Sequence, residues 1–459
     1  MIQLPPENRF LTALFFSDLP QVLEPGPVGR RWLPAPLDSR HLSQLVGRAV
    51  EPRVLRFWTK EAKAGDPFYQ CCLGFYYTIL REESSRGFFW WRQAAERGEP
   101  YAIFQLGLHF GQGHGVERDQ RRGVEFLVQA GVELGHPEAM FFLGSLYREG
   151  FWGTTRDLAR GLELIRRAAQ LGLPRAQHHL GRLYLIDEID LPRDPDQAFY
   201  WLLKAVESGE ELAYCHLGLC YLDGLGVPPN EALATRMLAR ATRAGSASAA
   251  YNLAICLLIG RGVAEDHNQS FELLKVALEG GVTIATYQIA LAYRFGLGAP
   301  RDPAQARLWL TKAVEAGVIR AKLDLAEFYL QGQGGPPLLE EGLNLLRAVS
   351  SPSANGPKDI ARDAQFRLGL YLSEGGWGIK KDIAEAIHWI SLAAQNDHLE
   401  ANLFLAVWWR EGRPGWPPNL EKSQGYLRRA EALGYKSPES EEASGEDWVP
   451  SPPVKVTLH

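Results

Sequence analysis

The chain alternates short apolar stripes with glycine-rich breaks, and the stripes recur in phase. In the clearest of them Ala139, Leu143, Gly144 and Tyr147 fall at i, i+4, i+5 and i+8, and so share one side of a helix. The same phrase, an alanine, three residues, Leu-Gly or Leu-Ala and often a tyrosine, returns at Ala102-Leu106-Gly107, Ala176-Leu180-Gly181-Tyr184 and Ala213-Leu217-Gly218-Tyr221. It continues through Ala249-Leu253-Ala254, Ala285-Ile289-Ala290-Tyr293, Ala321-Leu325-Ala326-Tyr329, Ala364-Leu368-Gly369 and Ala401-Leu405-Ala406, after a degenerate copy at Tyr69-Leu73-Gly74-Tyr77. Successive alanines stand 37, 37, 37, 36, 36, 36, 43 and 37 residues apart. A period of that length means one supersecondary unit stacked many times.

Each period predicts a helix, a glycine-rich turn and a second helix. Asp119, Asp157, Asp194, Asn230, Asp266, Asp302, Asp382 and Asn419 lie 13 or 14 residues beyond the Leu or Ile of their phrase. Asp and Asn side chains accept from the first backbone N–H groups of a helix, so these positions read as N-caps of the second helices rather than as catalytic groups. The second helices close on Ala-x3-Gly, as in Ala94-Gly98, Ala168-Gly172, Ala205-Gly209, Ala241-Gly245, Ala277-Gly281, Ala313-Gly317 and Ala430-Gly434. Glycine there suits a helix C-terminus, and Pro100, Pro137 and Pro174 follow where the next first helix begins. Trp90, Trp201, Trp309 and Trp389 fall inside second helices as large packing residues.

The chain has 459 residues, too many for one globular core, and the period selects a solenoid over several domains. A net charge of −5 gives no basic field for nucleic acid. No apolar stretch approaches the roughly 18 residues that span a bilayer. Leu11–Phe16 is apolar but short and lacks a basic flank, so a cytoplasmic location is expected. The five cysteines, Cys71, Cys72, Cys215, Cys220 and Cys256, all fall in first helices without a repeating pair, which predicts reduced, packed thiols.

Taken together, Ala-x3-Leu-Gly-x2-Tyr-x2-Gly, then Gly-Val, Asp, Trp and Ala-Ala-x2-Gly, resembles the Sel1-like repeat family, relatives of the tetratricopeptide repeats. Arg118-Asp119, Pro300-Arg301-Asp302 and Lys380-Lys381-Asp382 look like the turn of that family. The resemblance covers roughly residues 67–435. It implies an all-α fold, a right-handed α/α superhelical solenoid of about ten helix-turn-helix repeats over 61–435. Residues 1–60 stand outside the period as a proline-rich N-terminal cap or arm, and 436–459 as an acidic, Ser/Pro-rich tail that cannot bury enough surface to order itself. Two repeats depart from the pattern. One replaces its turn glycines with Ile186–Pro192, and another carries an insertion around Ser350–Pro357.

Chemistry is thin. Gly111-x-Gly113-x-Gly115 mimics a phosphate loop but joins two helices. His178 and His179 are adjacent, so their side chains diverge by about 100° and make a poor metal clamp. No cofactor or metal is expected. The resemblance carries one enzymatic alternative, a ligand-binding or hydrolytic protein acting on β-lactam or cell-wall-like substrates; such members look disulfide-stapled and exported, unlike this chain. By analogy with tetratricopeptide repeats, the residue two before each Leu looks into a concave groove: Cys71, Phe104, Phe141, His178, Cys215, Tyr251, Tyr287, Leu323, Phe366 and Leu403. That column is apolar and aromatic, and suits either a peptide in the groove or packing against the neighbouring helix. A second column, five after the Leu or Ile, holds Arg148, Arg294 and Arg410, suited to a carboxylate-bearing partner. The function expected is a monomeric, non-catalytic scaffold or adaptor. Its partner is a protein or peptide, held at Phe104, Phe141, His178, Tyr251, Tyr287, Arg294 and Phe366.

Overall fold

The computed structural model describes residues 52–186, 191–351, 358–375, 378–413 and 416–435. The N-terminal 1–51, most of the Ile186–Pro192 turn, the centre of the Ser350–Pro357 insertion and the acidic tail lie outside the described residues. The described chain is mainly helical, and Arg413 and Trp416 form an isolated antiparallel bridge. It divides into two compact units, Met1–Gly245 and Ser246–His459.

In the first unit a lone helix, Pro52–Lys63, precedes the pairs Pro67–Phe75 with Ser84–Ala95, Pro100–Gln112 with Gln120–Val128, and Pro137–Glu149 with Leu158–Gln170. Pro174–Leu183 with Pro195–Glu207 and Ala213–Asp223 with Glu231–Arg243 complete it. The second unit runs through Ala247–Ile259 with His267–Glu279, Ala285–Phe295 with Pro303–Glu315, and Ile319–Gln331 with Leu339–Ser350. It ends with Lys358–Glu374 with Ile383–Gln395 and Leu399–Glu411 with Leu420–Ala432. Inside each unit every first helix packs on its own second helix, and that second helix packs on the next first helix. This is an all-α solenoid.

The predicted caps hold. The side chains of Asp119, Asp157, Asp194, Asn230, Asp266, Asp302, Asp382 and Asn419 each accept from a backbone N–H two or three residues on. Two second helices have no side-chain cap, Ser84–Ala95 after Glu83 and Leu339–Ser350 after Leu338. The alanine and Leu or Ile of each phrase are buried, from 0 % at Ala139 and Leu143 to 9 % at Leu253. The pairs close because the residue after the Leu is small: a Cβ on Gly144 would sit 2.8 Å from the Gly161 carbonyl oxygen. Opposite it, four residues beyond the N-cap position, stands another small residue in every pair, Gly87, Gly123, Gly161, Ala198, Ala234, Ser270, Ala306, Gly342, Ala386 or Ser423. Where that residue is serine its hydroxyl donates to the facing carbonyl, Ser270 to Ala254 at 2.8 Å and Ser423 to Ala406 at 2.7 Å.

Neighbouring repeats are joined by backbone. The turn of one repeat carries two left-handed glycines, Gly224 and Gly226, and a Cβ on Gly226 would lie 2.3 Å from the carbonyl oxygen of Pro195 in the repeat before. Gly298 meets His267 and Gly334 meets Pro303 in the same way. Only glycine offers both the positive φ and the space. One repeat has an extra residue between Ala130 and Gly135, and a π-turn over Gln129–Glu133 absorbs it.

Candidate interaction surface

On a helix, positions two before and five after the Leu lie on the side of the next repeat, and the position one before it faces the previous repeat. The contacts follow that geometry. Phe104 is 1 % exposed, stacks on His136 at 5.7 Å and meets Phe142. Phe141 is 3 % exposed and meets His179 edge-on. Cys71, Cys215 and Leu323 are also buried, so these five present almost no surface to a partner. His178, Tyr251, Tyr287, Phe366 and Leu403 are half-buried. His136 and His398 are N-caps of the following first helices, and each lays its ring on the phenylalanine of the repeat before, Phe104 and Phe366.

The structure brings two of the expected residues onto one network. The Tyr287 hydroxyl donates to Asp324 at 2.6 Å, and Arg294 donates to Asp324 and Glu327, both at 3.2 Å. Arg367, from the next repeat, reaches Glu327 at 3.5 Å. Burial and then the Asp324 carboxylate raise the Tyr287 hydroxyl above the ordinary tyrosine range, so it stays protonated and donating. The charges in this network are met within the chain. Of the other arginines in that column, Arg148 is buried and Arg410 exposed, so the three form no continuous row.

In the first unit, His178 and His216 share a hydrogen bond between ring nitrogens at 3.0 Å, and His179 stands beside Arg182. Burial, then neighbouring positive charge from groups such as Arg182, pushes the imidazoles down, to about 3 for His178 and His179 and about 4 for His216. At neutral pH the three are uncharged packing groups. Among the described residues, no group of three or more His, Cys, Asp or Glu is arranged to hold a metal ion. No helix there is long and apolar enough to cross a membrane. All five cysteines are buried thiols, and burial raises Cys72 to about 12 and Cys220 to about 11.

On the first helices Ala247–Ile259 and Ala285–Phe295 the exposed positions are five before and six after the Leu or Ile, with the half-buried position two after it on the same side. On Ala285–Phe295 and the residue before it, Ile284, Leu291 and Phe295 occupy one narrow arc opposite the buried Ala285 and Ile289. Ile255 and Ile259 take the same register on Ala247–Ile259. Ile259 and Phe295 are both 58 % exposed and Ile284 45 %, while Ile255 and Leu291 are half-buried. The next first helix places Arg320, Glu327 and Gln331 in those positions, so the apolar strip spans two repeats and stops at the Tyr287–Asp324–Arg294 network. The signal was present in the sequence as apolar residues at positions that a core does not need.

The model of the family described as Sel1 repeat matches ten segments: residues 80–99, 100–131, 137–173, 174–210, 212–246, 247–282, 283–318, 319–348, 362–398 and 399–435. The crystal structure of c5321, a protective antigen present in uropathogenic Escherichia coli strains and displaying an SLR fold, is similar at 25% identity and a TM-score of 0.55. That similarity covers 86% of this chain and 92% of that one. A Sel1 repeat protein from Oxalobacter formigenes is 28% identical with a TM-score of 0.46, over 70% of this chain and 89% of that one. No curated protein matches the sequence.

Proposed function

The chain belongs to the Sel1 repeat family, and from that premise we propose that it is a non-catalytic scaffold that holds a segment of a partner protein on the first-helix faces of its second unit. One observation carries the reading: the two-repeat strip of Ile255, Ile259, Ile284, Leu291 and Phe295, apolar in one register on adjacent first helices and exposed at Ile259, Ile284 and Phe295. Single exposed apolar residues are ordinary on a soluble protein, but a run in one register on adjacent helices is what an apolar face of a partner needs. Tyr251 and Tyr287, half-buried, lie on the same two first helices as this face, and Arg294 fixes its edge through Asp324, while Phe366 stands two repeats further on. The reading places the protein in the cytoplasm as a monomer.

The test is affinity purification from the native host with the wild-type chain, an Ile259→Ser/Phe295→Ser variant and a Phe89→Ser control. Phe89 is also half exposed, on a second helix of the first unit. Loss of the same partners from the strip variant alone is the expected result. Retention of every partner by a strip variant with wild-type helicity overturns the assignment of the surface, and turnover of nitrocefin by the purified chain overturns the non-catalytic half.

A further inference from the structure

We propose that the turn edge of the first unit is a second docking surface, a row of ring-supported arginines that grips the carboxylates of an acidic, extended segment of a partner protein. It is independent of the apolar strip. The row sits three residues beyond the N-cap position of the second helix, where Arg86, Arg122 and Arg160 follow Glu83, Asp119 and Asp157 in three consecutive repeats. Each guanidinium lies over the aromatic residue four beyond the phrase's Leu on its own first helix. Arg86 stands over Tyr77 at 5.4 Å, Arg122 over Phe110 at 4.5 Å and Arg160 over Tyr147 at 4.3 Å. A ring takes one face of the planar group and leaves its N–H edge free to donate, and all three arginines are exposed. Helix stability does not choose this residue, because the first turn carries the positive end of the helix dipole and disfavours a cation. The next six repeats hold Gln197, Leu233, Gln269, Gln305, Glu341 and Glu385 there, and the last repeat, in the other unit, returns to a cation with Lys422 over Trp409.

Two of these repeats add a second arginine. Arg118 and Arg156 stand just before the caps, and their Nε atoms donate to carbonyls near the ends of the first helices, Gly111 at 3.3 Å and Arg148 at 3.1 Å. The cap carboxylates beside them are committed, Asp119 to the backbone N–H of Arg122 at 3.0 Å and Asp157 to that of Arg160 at 2.9 Å. Among the described residues none of Arg118, Arg122, Arg156 and Arg160 has an ion-pair partner, whereas Arg86 pairs with Glu83 at 2.7 Å and Arg121 with Glu125 at 3.3 Å. The packing of the repeats gathers the row. A Cβ on Gly115 would sit 2.5 Å from the Ser84 carbonyl oxygen, so the turn ending at Arg118 lies against the first turn of the helix that bears Arg86. The Trp152 ring lies against Gly111, whose carbonyl Arg118 holds, and so brings the turn of Arg156 beside Arg118. Glu117 and Glu149, exposed beside the row, interrupt its positive field and disfavour a uniformly charged polyanion such as nucleic acid. Separate carboxylates on an extended peptide fit forks that recur one repeat apart.

The experiment is fluorescence anisotropy on the full chain with a fluorescein-labelled peptide of alternating Glu and Ser, beside a labelled single-stranded DNA of equal charge. Arg122→Gln/Arg160→Gln is expected to weaken peptide binding about tenfold. Arg236→Gln/Arg243→Gln removes the same charge from exposed positions of the Glu231–Arg243 helix and is expected to change it less than about twofold. Arg122→Lys/Arg160→Lys keeps the charge without the planar fork, and is expected to restore only part of the affinity. Equal losses in the two Gln variants overturn the site, as does full affinity in the Lys variant or DNA bound as tightly as the peptide. A wild-type chain of native helicity that fails to bind the peptide overturns it as well. None of these variants touches Ile259 or Phe295, so the reading of the strip stands or falls on its own test.

Discussion

The two units carry the same phrase, yet use the column two before its Leu differently. In the unit ending at Gly245, Cys71, Phe104, Phe141 and Cys215 are buried and His178 alone keeps surface. In the unit beginning at Ser246, Tyr251, Tyr287, Phe366 and Leu403 keep surface and Leu323 alone is buried. The difference lies in what the following repeat offers. Phe104 and Phe141 are met by rings, His136 with Phe142 and His179, which cover them. Tyr287 is met by the carboxylate of Asp324, which takes its hydroxyl and leaves the ring edge open. One backbone plan thus yields a mostly sealed column and a mostly open one, and the facing residue does not decide alone, because Phe366 keeps surface although His398 and Phe404 meet it as His136 and Phe142 meet Phe104.

The largest expected break in that contrast comes from truncation. Phe141→Ala is expected to cost about 3–5 kcal/mol, the usual loss for a buried phenylalanine, and Tyr251→Ala about 1 kcal/mol. Denaturant titration with the unfolding of each variant followed by helicity measures both, and equal losses would erase the distinction.

Acid comes next. His178, His179 and His216 titrate near 3 to 4 when folded and near 6.5 when unfolded, so the neutral rings favour the native state. Their contribution is fully present above pH 6.5 and is lost as pH falls toward the folded values, because the unfolded chain then binds more protons. Between pH 7.5 and 5 the first unit is expected to lose on the order of 2 kcal/mol, discounted for the half-exposed rings. His178→Leu/His216→Leu should flatten that slope; an unchanged slope in the double variant counts against the trio.

On the open side, Tyr287→Phe is expected to cost about 1.5 kcal/mol by leaving Asp324 short of a donor. A double-mutant cycle with Asp324→Asn should return most of that value as coupling, and additivity would show that the hydroxyl does not hold the edge. The smallest effect tests what the units share. Asp157→Ala and Asp302→Ala remove equivalent caps and should each cost about 1 kcal/mol. A large disparity between them would mean that the units differ in their helices and not only in their column.

What was legible in the sequence follows from the range of the forces involved. The caps Asp119 to Asn419 and the terminal glycines are local, each decided by hydrogen bonds within three or four residues, and all of those named hold in the structure. Burial of Ala139, Leu143 and their counterparts follows from periodicity alone. The direction of the column was not legible, because it depends on the angle at which successive repeats cross, and no single stripe encodes that angle. The small residue four beyond each cap was legible but unread. Gly123, Ala198 and Ser270 look unrelated until the facing carbonyl shows what they share.

The backbone contact between Gly226 and Pro195, repeated at Gly298 and Gly334, gives the array a property that concerns its ancestry. A joint made of glycine against a main-chain carbonyl asks nothing of side-chain identity. A whole repeat copied into the array would find this backbone contact already fitting, and only side-chain contacts such as Phe104 with His136 would remain to be matched. Genetic duplication can therefore lengthen such a chain in steps of one period without a compensating change of backbone, leaving exposed positions such as Ile259 and Phe295 to drift independently toward new partners.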